Sequence, residues 1–356
     1  MNAYDGNKIL TFYKEAKDCL ERGLCTPRTA LIYPSRVCNQ HCYFCIDKIT
    51  NTGFTKDLKV RFMNRDLFLN LPKELKNLGC EAVELCGGGE PFLHPDIEEF
   101  ILECKKYNLK LGSLTNGTCL SGSLADLVID NFSFVRISLD SFNSETYQSI
   151  RQTSLNGKDS LSEVLRNLRY LVQRKREVNS RILITVKSVF NKDTIHEMTE
   201  YIKIARTYKV DGIHIKGVRN VENELDLSVL DPIYEKILED EKKQNRKGEP
   251  FVFGSLNNTV IESPFCFACS FDIFIDTDGS LRLCCYYQNR EEDHTYARIT
   301  SDTLSNLRLI WEGLNHQKAL KKIDTSKCNL YNCKYHSYNN VLYEGIIEDQ
   351  GQWQFT

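Results

Sequence analysis

Apolar positions along the chain alternate between two spacings. Short apolar runs, suited to buried strands, are separated by longer stretches in which apolar residues recur every third or fourth position. The runs Ala30–Tyr33, Ala82–Cys86, Leu109–Leu114, Phe134–Leu139, Arg181–Val189 and Ile213–Lys216 predict six strands. Between them, Asp66–Leu78, Asp96–Tyr107, Leu120–Asp130, Leu161–Lys175 and Ile195–Tyr208 predict helices, the first closing at Gly79. Strands alternating with helices in this way predict an α/β fold, a parallel sheet with helices on its outside.

The flanks break this rhythm. In residues 1–28, Ile9, Leu10, Phe12, Tyr13, Ala16 and Leu20 give a helical lead-in that Gly23 and Pro27 end. Residues 218–262 are rich in Glu and Lys and read as a connector, with one helical piece around Leu230–Glu241. From 263 to 340 the chain reads as a small cysteine-rich domain. There Phe271–Ile275 and Leu281–Leu283 flank the turn Asp276-Thr277-Asp278-Gly279, a hairpin signature, and Leu304–Leu320 reads as one helix. The tail 341–356 is apolar enough to dock. The barrel-forming region is thereby 29–217.

The chain has 356 residues and a net charge of -2. That balance makes no case for a nucleic-acid partner. No apolar run approaches the ~20 residues of a membrane span. The first residues, Met1-Asn2-Ala3-Tyr4-Asp5-Gly6-Asn7, lack a signal-peptide pattern, so a cytoplasmic location is expected.

The 15 cysteines change the picture. A large chain of this kind is a poor setting for a disulfide framework, and the cysteines fall in groups. Cys38, Cys42 and Cys45 follow the first strand with gaps of three and two residues. Three thiolates can hold three corners of a [4Fe–4S] cluster and leave one iron open. Zinc is the alternative, with His41 as a fourth ligand. A second strand ends in Cys86-Gly87-Gly88-Gly89-Glu90-Pro91. Three glycines let the backbone approach a ligand, and their amides and carbonyls can bind an amino-acid headgroup. The later strands also end in polar residues: Thr115-Asn116-Gly117, Ser138 with Asp140, Ser188 with Asn191, and Lys216. The C-terminal ends of parallel strands are where such a fold builds its site.

On these residues the stretch Pro34–Lys216 resembles the radical S-adenosylmethionine (radical SAM) enzymes. The family's three-cysteine motif, with an aromatic before the last cysteine, is matched by Cys38, Cys42, Phe44 and Cys45. Its GGEP motif is matched by Gly88-Gly89-Glu90-Pro91. The resemblance implies a partial (β/α)6 TIM-like barrel, open along one side, and a [4Fe–4S] cluster whose open iron is chelated by SAM. It further implies that Phe44 packs near the adenine and that Gly88 and Gly89 hold the methionyl amine with help from Glu90. Ser138 and Asp140 match the family's ribose and carboxylate residues, and Arg151 is a further carboxylate candidate. Gly87, Asn116 and Ser188 complete the expected cofactor-binding set. A flavodoxin- or ferredoxin-type reductant is the family's expected partner.

The late cysteines, Cys266, Cys269, Cys284, Cys285, Cys328 and Cys333, resemble the SPASM and twitch extensions of radical SAM enzymes, which bind auxiliary [4Fe–4S] clusters. The family's hairpin motif, a cysteine, a glycine, four residues and a second cysteine, fits with Gly279 and Cys284. One auxiliary cluster is expected, held by Cys266, Cys284, Cys328 and Cys333, with structural zinc as the alternative. Cys269 and Cys285 are then spare, and either is a candidate hydrogen-atom donor.

The expected reaction is abstraction of a substrate hydrogen by a 5′-deoxyadenosyl radical. Dehydrogenation needs an electron acceptor, which an auxiliary cluster supplies, and a base. Asp276, Asp278, His214 and Lys216 are the candidates, with Asp276 and Lys216 favoured. Epimerisation needs a hydrogen donor such as Cys285 or Cys269. Fewer than 40 residues precede the cysteine loop, which favours a small polar substrate, such as a sugar, aminocyclitol or nucleoside, over a peptide. The competing readings are a peptide maturase forming epimers or cross-links, and a non-enzymatic iron–sulfur or zinc protein.

Overall fold

The computed structural model describes residues 11–45, 60–152, 160–218, 232–246, 248–256, 263–285, 294–325 and 335–344. Its framework is a ten-stranded sheet. In chain order the barrel half comprises α1 (Tyr13–Arg22), β1 (Thr29–Ile32), α2 (Arg65–Leu78), β2 (Ala82–Leu85), α3 (Ile97–Lys106), β3 (Lys110–Thr115), α4 (Gly122–Asn131) and β4 (Phe132–Ser138). There follow α5 (Ser144–Arg151), α6 (Ser160–Glu177), β5 (Leu183–Phe190), α7 (Met198–Thr207) and β6 (Gly212–Gly217). All six expected strands are present, in sequential order and parallel. The sequence missed α5, a short helix whose start is fixed by Asn143, which accepts from the Glu145 and Thr146 amides.

The stretch read as a connector extends this sheet. It forms α8 (Pro232–Lys243) and then β7 (Phe251–Ser255), a seventh strand parallel to β6. The cysteine-rich segment joins the opposite edge. Its β8 (Asp272–Ile275) pairs parallel with β1, placing Thr29 against Asp272 and Ile32 against Ile275. The expected hairpin follows, with β9 (Ser280–Arg282) antiparallel to β8 and β10 (Thr295–Arg298) antiparallel to β9. Its turn needs Gly279, whose φ is +81° and where a Cβ would sit 2.1 Å from the Ile299 carbonyl oxygen.

The expected long helix 304–320 is broken into α9 (Leu307–Trp311) and α10 (Leu314–Lys321), and α11 (His336–Tyr343) follows. Gly313 separates the two helices: its ψ of 158° is extended rather than helical. Leu342, in α11, is buried among Ala16, Cys25, Phe267 and Phe271. Residues 345–356 lie outside the described set.

Strand alternation sorts the side chains. Ala30, Ile32, Val83, Leu85, Val135 and Ile137 enter a core shared with the helices, alongside Phe68, Phe100 and Leu168. The alternate positions face the barrel interior. There Leu31, Tyr33, Cys86 and Phe274 form a separate cluster near β1.

Candidate functional site

The loop after β1 carries Cys38, Cys42 and Cys45, and every neighbouring strand end holds it in place. The glycine run after β2 lies directly beneath it. A Cβ on Gly89 would stand 2.2 Å from the Val37 carbonyl oxygen, so only glycine admits the loop at this distance. The Glu90 amide then donates to that same oxygen at 2.8 Å. From β3, Asn116 donates to the Asn39 side-chain oxygen at 2.7 Å and reaches Sγ of Cys38 at 3.9 Å. From α5, the Ile150 and Arg151 carbonyls accept from the Tyr43 and His41 amides. Beyond β5, the Asn191 amide donates to the Tyr43 hydroxyl. Phe44 is half-buried, its ring edge-on to Tyr43 at 5.3 Å.

The charged groups below the loop form two fixed units. Glu90 is buried, and its carboxylate accepts from the Thr115 hydroxyl at 2.6 Å, the Asn116 amide at 2.7 Å and the Phe92 amide at 3.2 Å. Burial pushes its pKa up and these donors push it down, burial prevailing. A carboxylate so engaged positions Asn116, which in turn holds the cysteine loop. The second unit centres on Arg151. It forms an ion pair with Asp140, donates to Gln40 at 3.1 Å and reaches Sγ of Cys42 at 3.5 Å. Asp140 also accepts from the Val189 amide, and Ser188 donates to the Asp140 carbonyl at 2.9 Å. Asp140, Arg151 and Ser188, expected separately, thus act as one network. Ser138 stands on the interior face of β4, and Gly87 and Gly88 begin the glycine run, Gly88 with φ +86°.

The three cysteines have the donor chemistry of an iron–sulfur cluster, although among the described residues no three His, Cys, Asp or Glu side chains come together as a group that could hold a metal ion. Burial, then the Glu90 charge, push the Cys38 thiol up to about 12. N–H groups of Asn116 and Arg151 point at two of the sulfurs, the outer support that iron-bound thiolates take.

The four described late cysteines lie close to one another at the β8 edge of the sheet. Sγ of Cys266 and Cys269 are 3.5 Å apart. A hydrogen bond to Cys269 lowers the Cys266 thiol, while hydrogen bonds to Cys266 and Cys284 raise Cys269 well above its ordinary value. Cys266, Cys269 and Cys284 therefore gather, and Asn339 donates to Sγ of Cys266 at 3.6 Å. Cys285 packs on the interior cluster of Leu31, Tyr33, Cys86 and Phe274. Cys269, expected to be spare, keeps company with the ligand candidates, and Cys285 lines one small cavity with Cys269 and Cys284. Cys328 and Cys333 lie outside the described residues.

Asp276, favoured as a base, is buried and shared between two arginines, Arg36 at 2.7 Å and Arg282 at 3.1 Å. Arg36 lies two residues before Cys38, so this clamp ties the first cysteine loop to the hairpin. Such a carboxylate holds two segments together and is poorly placed to take a proton. Asp278 pairs with Arg298. Lys216 sits on the interior face of β6, beside His214 and across from Lys187 and Arg136. Lys187 and Arg136 were missed, although each interrupts an apolar strand at an inward position, a signal legible in the alternation.

Residues 32–202 match the model of the Radical SAM superfamily, a family that uses SAM and a [4Fe–4S] cluster. A GTP 3′,8-cyclase of Helicobacter pylori (strain ATCC 700392 / 26695) is 28% identical over 78% of this chain and 85% of its own length. A probable GTP 3′,8-cyclase of Saccharolobus islandicus (strain M.14.25 / Kamchatka #1) is 25% identical over 73% and 83%. Among solved structures, anSMEcpe with bound AdoMet superposes with a TM-score of 0.61 at 19% identity, covering 88% of each chain. SuiB of Streptococcus suis bound to S-adenosylmethionine gives 0.60 at 16%, covering 86% of this chain and 75% of that one. These two structures share the fold. No described helix is long and apolar enough to cross a membrane.

Proposed function

We propose that this radical SAM enzyme removes a hydrogen atom from a small polar substrate inside the barrel, leading to dehydrogenation or epimerisation. The observation that carries the reading is the cysteine loop braced by Gly89, Asn116 and Arg151 at the mouth of a barrel with a polar interior. When bound, the cluster supplies the electron that cleaves SAM to a 5′-deoxyadenosyl radical. Cys38, Cys42 and Cys45 hold the cluster. The backbone of Gly87, Gly88 and Gly89 receives the methionyl group, Phe44 flanks the adenine, and Ser138 lies toward the ribose. The Asp140–Arg151–Ser188 network fixes the floor beneath the cofactor. Tyr33, Phe274 and Leu31 exclude water on the β1 side, which protects a reactive intermediate.

The auxiliary site is a proposal of a different composition from the one the sequence suggested. Cys266, Cys269 and Cys284 hold an auxiliary [4Fe–4S] cluster, with Cys328 or Cys333 available as a further ligand. Cys285, on the interior face, is then the hydrogen-atom donor, which favours epimerisation. Lys216 serves the substrate side.

A second reading is ring closure on a nucleotide, and the curated relatives named GTP 3′,8-cyclase favour it. The test incubates anaerobically reconstituted protein with SAM, dithionite and GTP. Formation of 5′-deoxyadenosine that vanishes in the Cys38→Ala/Cys42→Ala/Cys45→Ala variant supports the radical reading. Conversion of GTP to a product of equal mass selects cyclisation. Unchanged GTP removes that second reading, and absent 5′-deoxyadenosine under strong reduction removes both.

A further inference from the structure

Outside the two cysteine regions, a further pair of thiols stands together where the lead-in helix turns back toward β1. The turn that ends α1 brings them there. Gly23 takes a left-handed conformation, φ +74°, and its amide donates to the Cys19 carbonyl at 2.8 Å, so Cys25 returns against the last turn of the helix. Cys25 is then held from two sides. Its carbonyl accepts from the buried Trp311 ring N–H at 2.9 Å, and its Sγ donates to the Ser270 carbonyl at 3.1 Å. Both cysteines are free thiols in one small apolar cluster with Ala16, Phe267, Phe271 and Leu342. Cys25 is buried inside that cluster, and Cys19 is half-buried at its edge.

The two sulfurs differ in chemistry. The Cys25 thiol hydrogen-bonds to the Cys19 sulfur, and this is the largest cause lowering Cys19 from its ordinary value. Burial opposes it, the Ser270 side chain and the Cys25 amide add to it, and the Asp18 charge, itself paired with Arg22 at 3.6 Å, opposes it weakly. The same hydrogen bond, and then burial, push Cys25 up. Cys119, another half-buried cysteine, lacks such donors, and burial with the Glu90 charge pushes it up to about 11. A half-buried sulfur that ionises readily, backed by a buried protonated thiol, is the arrangement of an attacking and a resolving cysteine.

We propose that Cys19 and Cys25 form a dithiol site that exchanges with small disulfides, Cys19 attacking and Cys25 resolving. The Cys19 thiolate displaces one thiolate from the reagent and forms a mixed disulfide. The Cys25 sulfur then gives up its proton and displaces the second, closing a Cys19–Cys25 bond. One disulfide breaks and one forms, two electrons pass to the reagent, and the two protein protons leave with two small thiols. Closure takes the Cys25 donor away from the Ser270 carbonyl, next in sequence to Cys269, and ties α1 covalently to the segment that enters β1. The site is independent of the radical reading and uses none of the proposed cluster ligands.

The test incubates the reconstituted full chain anaerobically with oxidised and reduced glutathione at rising ratios, quenches with N-ethylmaleimide and digests with trypsin. Cleavage after Lys17, Arg22 and Arg28 puts Cys19 and Cys25 on separate peptides, so the bond appears as a linked pair in mass spectrometry. The linked pair is expected as the main oxidised form, with Cys19 reacting about tenfold faster than Cys119. Cys25→Ser should trap Cys19 as the mixed disulfide, and Cys19→Ser should leave Cys25 unmodified. Circular dichroism and iron content establish that both variants are folded. In concentrated urea the preference for Cys19 over Cys119 should vanish. No linked pair at the most oxidising ratio, a Cys19 rate equal to that of Cys119, a preference that survives in urea, or a glutathione adduct on Cys25 in folded Cys19→Ser overturns the proposal.

Discussion

The two cysteine regions of this molecule are built in opposite ways. In the first, three cysteines sit on one short loop, and distant elements brace it: Gly89 from below, Asn116 from β3, Arg151 from α5 and Asn191 from beyond β5. In the second, the cysteines come from separate points on a helical turn and a hairpin, and the antiparallel β8–β9 pairing returns Cys284 beside Cys269. A local motif needs tertiary contacts only to hold its shape, whereas a scattered set needs them to exist at all. Asp276 joins the two regions, clamped by Arg36 of the first and Arg282 of the second.

Four experiments would break or sharpen this contrast. The largest effect is expected from the cysteines themselves. Cys42→Ala should abolish 5′-deoxyadenosine formation, whereas Cys269→Ala should remove about four iron atoms per chain and leave SAM cleavage in place. Cys285→Ser should retain all iron. Iron analysis with product chromatography reads all three, and unaltered iron in Cys269→Ala would return that cysteine to the spare set. Next comes Arg151→Met, which strands the buried Asp140 carboxylate and should cost about 3–5 kcal/mol in a urea titration.

A third, slightly smaller effect tests the support of the second region. His316 is buried against Trp311 and Tyr296, and burial pushes its pKa down to about 4. Its ring is within 2.7 Å of the Trp311 carbonyl. Between its ordinary value of ~6.5 and the lowered one, the unfolded chain takes up a proton that the folded chain refuses. Stability present above pH ~6.5 is therefore lost as pH falls toward 4, by roughly 3 kcal/mol at most. Denaturant midpoints followed by tryptophan fluorescence should show that slope, flattened in His316→Leu. The smallest effect is Gly89→Ala. A Cβ 2.2 Å from the Val37 carbonyl forces the loop aside, and a displacement near 1 Å should lower SAM cleavage by about 100-fold. Gly122→Ala, where φ is +57° but a Cβ meets nothing within 4 Å, carries backbone strain without the clash and so separates the two effects.

Much of this architecture is legible in the chain. The alternation of apolar runs and helical stretches marks all six barrel strands, and the cysteine spacing with the Gly-Gly-Glu-Pro run marks the cofactor side. Less legible was β7, because Phe251–Ser255 follows a charged stretch and contains Gly254, which reads as loop. The break at Gly313 was also missed, since the amphipathic pattern runs through it. Asp276 read as a loop acid and a candidate base, and nothing local announces its two arginine partners.

Sequence alone determined what depends on neighbours along the chain: the strand and helix periods, the hairpin turn at Gly279 and three cysteines close enough to share one cluster. Those features follow from backbone geometry and short spacings, which act before the chain has collapsed. Only the tertiary structure decided what depends on residues far apart. It placed Cys269 with Cys266 and Cys284, turned Cys285 to the barrel interior, committed Glu90 and Asp276 to their partners, and gathered Arg136, Lys187 and Lys216 around His214. The reason is physical: which face a strand residue occupies is set by alternation, but what it meets there is set by the register of strands that are remote in sequence.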